Sequence, residues 1–333
     1  MTNSDRHASP TSYHRIVVDE RLLEMAASNA GGFSGWGSRA LYEGDLGAQN
    51  WMGVVTEPNY PLRDGTRFQL AEHRLQAIEH SRVRTFVSLG PGDGLHDLPL
   101  IEKLNRNATL QYIPVDISRS LLELAINTVT PVNPVLVGIQ CDFEVGFPFL
   151  SNVLIGEAER PILFSFLGGT IGNLDHGLSP FFDQLQSFMQ PGDEFLLDLP
   201  IAGPEWNRET EPRLRHECYS NAFRQFLASG VAKYRSTNES DYADVRTKLL
   251  DQFSEKFELA LTEEEGTGAM CVTVKEQSSN LIALRLRRFD WHCTLSWFHQ
   301  RGFRVTFAKF GLDSVPGKFG MGVVLLTLPE KHV

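Results

Sequence analysis

The alternation of apolar and polar positions divides the chain near residue 200. Up to that point, short apolar runs at 86–89, 112–115, 135–139, 161–167 and 194–199 are separated by segments with helical spacing. Strand and helix alternate five times, which predicts a doubly wound, mostly parallel α/β sheet. A helix is expected over 68–80, ahead of the first strand. Another is expected from Ser118, a good N-cap, through residue 127, and a short one over 181–189. Upstream, residues 1–14 read as a flexible tail, 16–29 as a helix and 31–37 as a glycine–aromatic loop. After residue 200 the alternation breaks. Residues 200–265 are polar and mostly helical in pattern, with helices expected at 213–227 and 242–257. The run Glu263-Glu264-Glu265, stopped by Gly266, reads as a solvated loop. Residues 271–275 and 281–289 alternate like strands, 293–301 suit a helix, and 303–310 with 321–328 form a closing antiparallel hairpin.

The strand ends carry the chemistry. In a doubly wound sheet the ligand lies beyond the carboxyl ends of the strands. The first expected strand runs into Gly90-Pro91-Gly92-Asp93-Gly94, and the second ends in Asp116-Ile117-Ser118. Glycines let a backbone turn tightly and approach a ligand closely, and an acid at the second strand's tip can accept both hydroxyls of a ribose. The third glycine comes one residue too early for the G-x-G-x-x-G of dinucleotide sites. An acidic, proline-containing turn suits S-adenosylmethionine (SAM), which has no pyrophosphate to cradle. At the third tip, Asp142 can accept from an adenine amine and Phe143 can pack on the ring. At the fourth, Gly168-Gly169-Thr170 allows close backbone approach. A parallel sheet finished by an antiparallel hairpin is the class I, Rossmann-like methyltransferase pattern, here with a long insertion after the fifth strand.

Composition narrows the function classes. The chain has 333 residues, enough for a nucleotide domain and a second domain, with 42% apolar and 22% charged residues. A formal charge of -10 argues against a nucleic-acid surface. No apolar run reaches the ~20 residues of a membrane span, and residues 1–10 lack a secretory apolar region. The four cysteines lie far apart and the ten histidines show no metal-ligand spacing. These features lead us to expect a reduced, cytoplasmic, metal-free protein, monomeric or homodimeric, that acts on a small molecule.

Several segments resemble the histidine-specific SAM-dependent methyltransferases of ergothioneine biosynthesis. They are Tyr42-Glu43, Asn59-Tyr60-Pro61, Leu89-Gly90-Pro91-Gly92, Ile113-Pro114-Val115-Asp116, Cys141-Asp142-Phe143-Glu144 and, most specifically, residues 167–174, Leu-Gly-Gly-Thr-Ile-Gly-Asn-Leu. The resemblance covers residues 36–200. It implies a SAM domain, taken as 61–200 with 288–333, and a substrate domain, taken as 15–60 with 201–287. It also implies a donor set of Tyr60, Gly90, Pro91, Gly92, Asp116, Ile117, Asp142, Phe143, Gly168, Gly169 and Thr170, with S-adenosylhomocysteine as product. The substrate side departs from the family. Where the family uses an insertion-helix asparagine on the amino acid's backbone groups, Arg224 stands near the matching place. Where it carries a glutamate and a serine that bind imidazole, this chain has Leu284-Arg285-Leu286-Arg287. Unpaired imidazole atoms would cost roughly 1–3 kcal/mol each, so histidine is not the expected acceptor.

Methyl transfer from a sulfonium needs chiefly proximity and in-line orientation, and an amine acceptor must be neutral to attack. Tyr42 and Tyr60 can orient that amine and Asn173 can accept a hydrogen bond from it. Each has a structural alternative, core packing for the tyrosines and helix capping for the asparagine. Arg224, Arg285 and Arg287 either bind a second substrate carboxylate or pair with the insertion's acids. Trp206 either walls the pocket or packs. Two other function classes stay open: transfer of SAM's aminocarboxypropyl arm, and a catalytically silent SAM-binding module. An NAD dehydrogenase is disfavoured by the glycine spacing.

Overall fold

The structure is a computed structural model that describes residues 13–18, 38–57, 60, 65–106, 109–133, 137–202, 220–236, 239–264, 266–278, 281–311 and 320–329. Its centre is an eight-stranded sheet. In chain order the strands are β1 (His14–Val17), β2 (Thr85–Leu89), β3 (Gln111–Asp116), β4 (Val137–Gln140), β5 (Ile162–Phe166), β6 (Glu194–Ile201) and, far downstream, β10 (Arg304–Gly311) and β11 (Gly320–Thr327). Their order across the sheet is β1-β4-β3-β2-β5-β6-β11-β10. Pairing is parallel from β1 to β6, and β11 runs antiparallel to both β6 and β10. The doubly wound sheet and its closing hairpin are therefore as expected. Sequence order reverses between β2 and β5, which makes their carboxyl ends the switch point where such sheets place a ligand.

Each central strand is apolar on both faces because helices cover both. Along β2, Val87 and Leu89 join a phenylalanine-rich core with Phe164, Phe166, Phe181 and Phe195, while Phe86 joins the opposite core with Tyr112, Leu163 and Val323. The covering helices include α3 (Gly65–Ala77), α4 (Leu98–Leu104), α5 (Arg119–Val129), α6 (Phe147–Glu157), α7 (Leu178–Phe188) and α11 (Trp291–Gln300). Ser118 caps α5 by accepting from the Leu121 N–H at 3.4 Å.

A third core lies over the carboxyl edge. It joins α1 (Arg39–Tyr42), α2 (Gly44–Val55), α8 (Asn221–Arg235), α9 (Glu239–Asp251) and α10 (Phe253–Lys256) to a separate antiparallel sheet. That sheet has the order β7-β8-β9, with β7 at Phe257–Glu264, β8 at Ala269–Glu276 and β9 at Leu281–Arg288. No helix among the described residues is long and apolar enough to cross a membrane.

Three expectations are corrected. Ile16 and Val17 lie in an edge strand paired with β4, not in a helix, and His14 of the expected tail lies in the same strand, so the chain's first described residues belong to the large sheet; residues 19–29 of that expected helix and the 31–37 loop lie outside the described residues. The helix expected over 242–257 stops earlier, because Phe257, Leu259 and Leu261 alternate and enter β7. Glu263 and Glu264 are not in a loop but end that strand, where Glu264 meets a buried arginine from β9.

Candidate active site

Both glycine turns at the switch point are built for close approach. Gly90, Gly92 and Gly94 have φ of 68°, 59° and 74°, and Gly168 and Gly169 have 67° and 84°. A Cβ on Gly90 would stand 3.0 Å from the Thr170 side chain, so the two turns abut. The Gly90 N–H donates to Val115 at 2.8 Å, tying the first turn to β3. The Gly168 N–H donates to Asp198 Oδ2 at 2.7 Å, and Arg74, itself fully buried, holds Asp198 through Nε at 3.0 Å. The Arg74–Asp198 pair has no sequence-local signal, since its partners are 124 residues apart.

These turns open into a cavity of about 290 Å³. Of the expected donor set, Tyr60, Gly90, Gly92, Asp116, Ile117, Asp142, Phe143, Gly168, Gly169 and Thr170 line it; Pro91 is buried beside it but forms no part of the wall. Asp116 is 5% exposed and accepts from the Ser118 N–H at 2.8 Å. Burial pushes its carboxyl up to about 7, against the opposing pull of the Ser118 and Gly92 N–H groups. Asp142 accepts from the Glu144 N–H at 3.0 Å and lies 3.6 Å from Arg39. Phe143 is fixed against Phe166 and Phe181, with centroids at 5.3 and 6.3 Å.

Tyr42 and Asn173 also meet on the cavity, Asn173 Nδ2 donating to the Tyr42 hydroxyl at 3.5 Å. Trp51 and Phe226 hold the Tyr42 ring edge-on at 5.3 and 5.1 Å. Burial raises the phenol well above its ordinary value, so it stays protonated. Beside them, Glu144 accepts from the Asp175 and His176 N–H groups at 2.8 and 2.9 Å, and Asp175 accepts from the Ser38 N–H at 2.6 Å and its hydroxyl at 3.0 Å. Burial raises both carboxyls, and their mutual repulsion adds to the shift on Glu144.

The arginines fall elsewhere than the second-carboxylate reading required. Arg224 donates to the Leu250 carbonyl at 3.0 Å and covers the Phe253 ring at 5.1 Å, away from the cavity. Arg285 donates to the Asp175 carbonyl at 2.6 Å. Arg287 donates through Nε to Glu264 at 2.8 Å and through Nη1 to the Leu174 carbonyl. Both therefore clamp the far end of the 168–175 turn, because alternation along β9 points them away from the cavity. That alternation puts Leu284, Leu286 and Arg288 on the cavity wall instead, together with Phe223 and Phe226 of α8. These wall residues were missed, although the period of two in 284–288 was sufficient to find three of them. Trp206 lies outside the described residues.

Residues 37–202 match the family described as histidine-specific methyltransferase, SAM-dependent, so the resemblance is shown over that stretch, about half the chain. The histidine N-alpha-methyltransferase of Mycobacterium tuberculosis (strain CDC 1551 / Oshkosh) is 32% identical over 145 residues, 41% of this chain and 42% of that protein. The match thus spans less than half the length of that relative. Among solved structures, a SAM-dependent methyltransferase from Clostridium acetobutylicum is 11% identical, with 84% of this chain and 98% of that one covered at a TM-score of 0.43. A magnesium protoporphyrin IX methyltransferase from Synechocystis with bound SAM is 8% identical, with 90% and 100% covered at 0.45.

Proposed function

We propose that this chain, whose residues 37–202 carry the sequence of the SAM-dependent family, transfers a methyl group from SAM to the amine nitrogen of a small, amino-acid-like acceptor other than histidine. One observation carries the reading: the glycine turns with Asp116, and the Tyr42–Asn173 pair, line one cavity. The residues present fit the donor. Asp116 keeps carboxylate lone pairs beyond those taken by the Ser118 and Gly92 N–H groups, enough to accept from a ribose diol. Asp142 and Phe143 suit the adenine, and the positive-φ glycines leave space that side chains would fill. Bound there, SAM would supply an activated methyl to the amine lone pair, its carbon–sulfur bond breaking with S-adenosylhomocysteine as the leaving group.

The chain's own residues position the acceptor. With its Nδ2 directed at Tyr42, Asn173 presents its carbonyl oxygen to an amine N–H, and the protonated Tyr42 hydroxyl orients the same group. Tyr60 borders both donor and acceptor. The donor half is drawn from 61–200 and 288–333 and the acceptor half from 15–60 and 201–287, apart from β1, which lies in the large sheet. The arginines on β9 serve the 168–175 turn in this reading and leave a second carboxylate unread.

A second reading, histidine as acceptor, is favoured by the family's description and the relative's name. The test is calorimetric titration with SAM and S-adenosylhomocysteine, followed by incubation of SAM with single amino acids and product mass analysis. Micromolar SAM binding and a methylated product from an acceptor other than histidine is the expected outcome. Histidine as the preferred acceptor replaces the first reading with the second. A product heavier by an aminocarboxypropyl group overturns methyl transfer, and binding with no turnover leaves only a SAM-binding module.

A further inference from the structure

The acceptor side of the cavity has a chemical character of its own. Leu284 and Leu286 from β9, Phe223 and Phe226 from α8, and Trp51 and Val54 from α2 all line the cavity and pack together in the third core. Leu284, Phe223, Phe226 and Val54 are at most 8% exposed, so the wall is a continuation of the third core and not a solvated rim. Arg285 and Arg287 are not part of this wall and are engaged on the Asp175 and Leu174 carbonyls. Arg288, at the strand's end, also lines the cavity and donates through Nη1 to the Arg287 carbonyl at 3.1 Å.

We propose that the acceptor carries a hydrocarbon side chain that lies against the cavity wall formed by Leu284, Leu286, Phe223 and Phe226. The protein then selects amino-acid-like amines with an apolar side chain over those with an imidazole or a carboxylate. The inference rests on the methyl-transfer reading and names its substrate class. Apolar surface gains by covering such a wall. A ring nitrogen or a side-chain carboxylate placed against the leucines loses water and gains no hydrogen-bond partner from them, a penalty worth tenfold or more in affinity. The amine end stays at Tyr42 and Asn173, so selection acts through the side chain alone.

The test titrates leucine, phenylalanine, tryptophan, histidine and glutamate into the full chain saturated with S-adenosylhomocysteine, a complex that cannot turn over. At least one of the apolar three should bind tenfold or more tighter than histidine and glutamate. Leu286→Glu, at a partly exposed position, should erase that preference while keeping S-adenosylhomocysteine affinity within twofold. Leu286→Met should retain the preference, which separates wall chemistry from a folding defect. Tighter binding of histidine or glutamate overturns the inference, with glutamate pointing to Arg288 as the reading residue. No amino-acid binding with S-adenosylhomocysteine still bound overturns the acceptor class and leaves the donor site standing. Failure of S-adenosylhomocysteine to bind overturns the methyl-transfer reading itself.

Discussion

Asp116 has two tasks that pull its ionisation in opposite directions. Burial pushes its carboxyl up to about 7, yet a ribose diol donates two hydrogen bonds and is best met by the acceptor-only carboxylate. SAM should therefore bind the ionised form. Its affinity is expected to rise about tenfold from pH 6 to pH 8, with protons released on binding below neutrality. Asp116→Asn should weaken binding at pH 8 and flatten the profile, which calorimetry in buffers of different ionisation enthalpy would show. A wild-type profile as flat as the variant's would sink this assignment. Arg224 makes the contrasting case. Its guanidinium rests on Phe253 and the Leu250 carbonyl, so Arg224→Ala should lower the melting temperature, by about 1–2 kcal/mol of stability. Acceptor affinity should stay within twofold. A large loss of acceptor binding would restore the role that sequence position suggested for it.

The element that organises the site is the 168–175 turn. Its start is held by Asp198 and its end by Arg285 and Arg287, so Asn173 is suspended between two anchored points. Gly172 sits where this turn crosses β9 and β6. A Cβ there would meet the Arg287 carbonyl oxygen and Pro200 Cγ, both at 3.1 Å, and neither is a flexible chain end. Gly172→Ala is expected to cost about 1–3 kcal/mol and to reduce kcat/KM through displacement of Asn173, read by thermal melting and steady-state methylation. Unchanged turnover would mean that Asn173 does not act at the reacting amine. The glycines of this turn and the Ser118 cap were legible because their reasons are local: a positive φ, a helix start. The clamp was not, because Arg287 finds Glu264 across β8 and Leu174 at a separation of 113 residues. For the same reason Glu263-Glu264 read as loop, since the partner that makes an acid tolerable in a strand is supplied from elsewhere in the fold. Strand β1 was hidden differently, being a four-residue edge strand with little burial to impose a period.

At the scale of the whole molecule, the protein buries carboxyls around its ligand edge. Asp97 is pushed up to about 7 by burial despite the Tyr112 hydroxyl donating to it, Asp116 likewise to about 7, and Glu144 and Asp175 move in the same direction. An unfolded chain releases these protons near ~4. Between about pH 4 and 7 the folded protein therefore holds more protons than the unfolded one, and its stability falls as pH rises through the folded values. The formal charge of -10 adds self-repulsion in the same direction. The ligand-free protein should melt several degrees lower at pH 8 than at pH 6, where a mesophilic chain would ordinarily change little. With saturating SAM the slope should shrink, because the donor favours the Asp116 ionisation that burial resists. Asp97→Asn, which keeps an acceptor for Tyr112, should shrink it in the ligand-free protein as well. Differential scanning calorimetry of wild type and variant, with and without SAM, measures all of these slopes. A melting temperature that climbs from pH 6 to pH 8 in the ligand-free protein would show that these carboxyls are ionised in the fold at little cost.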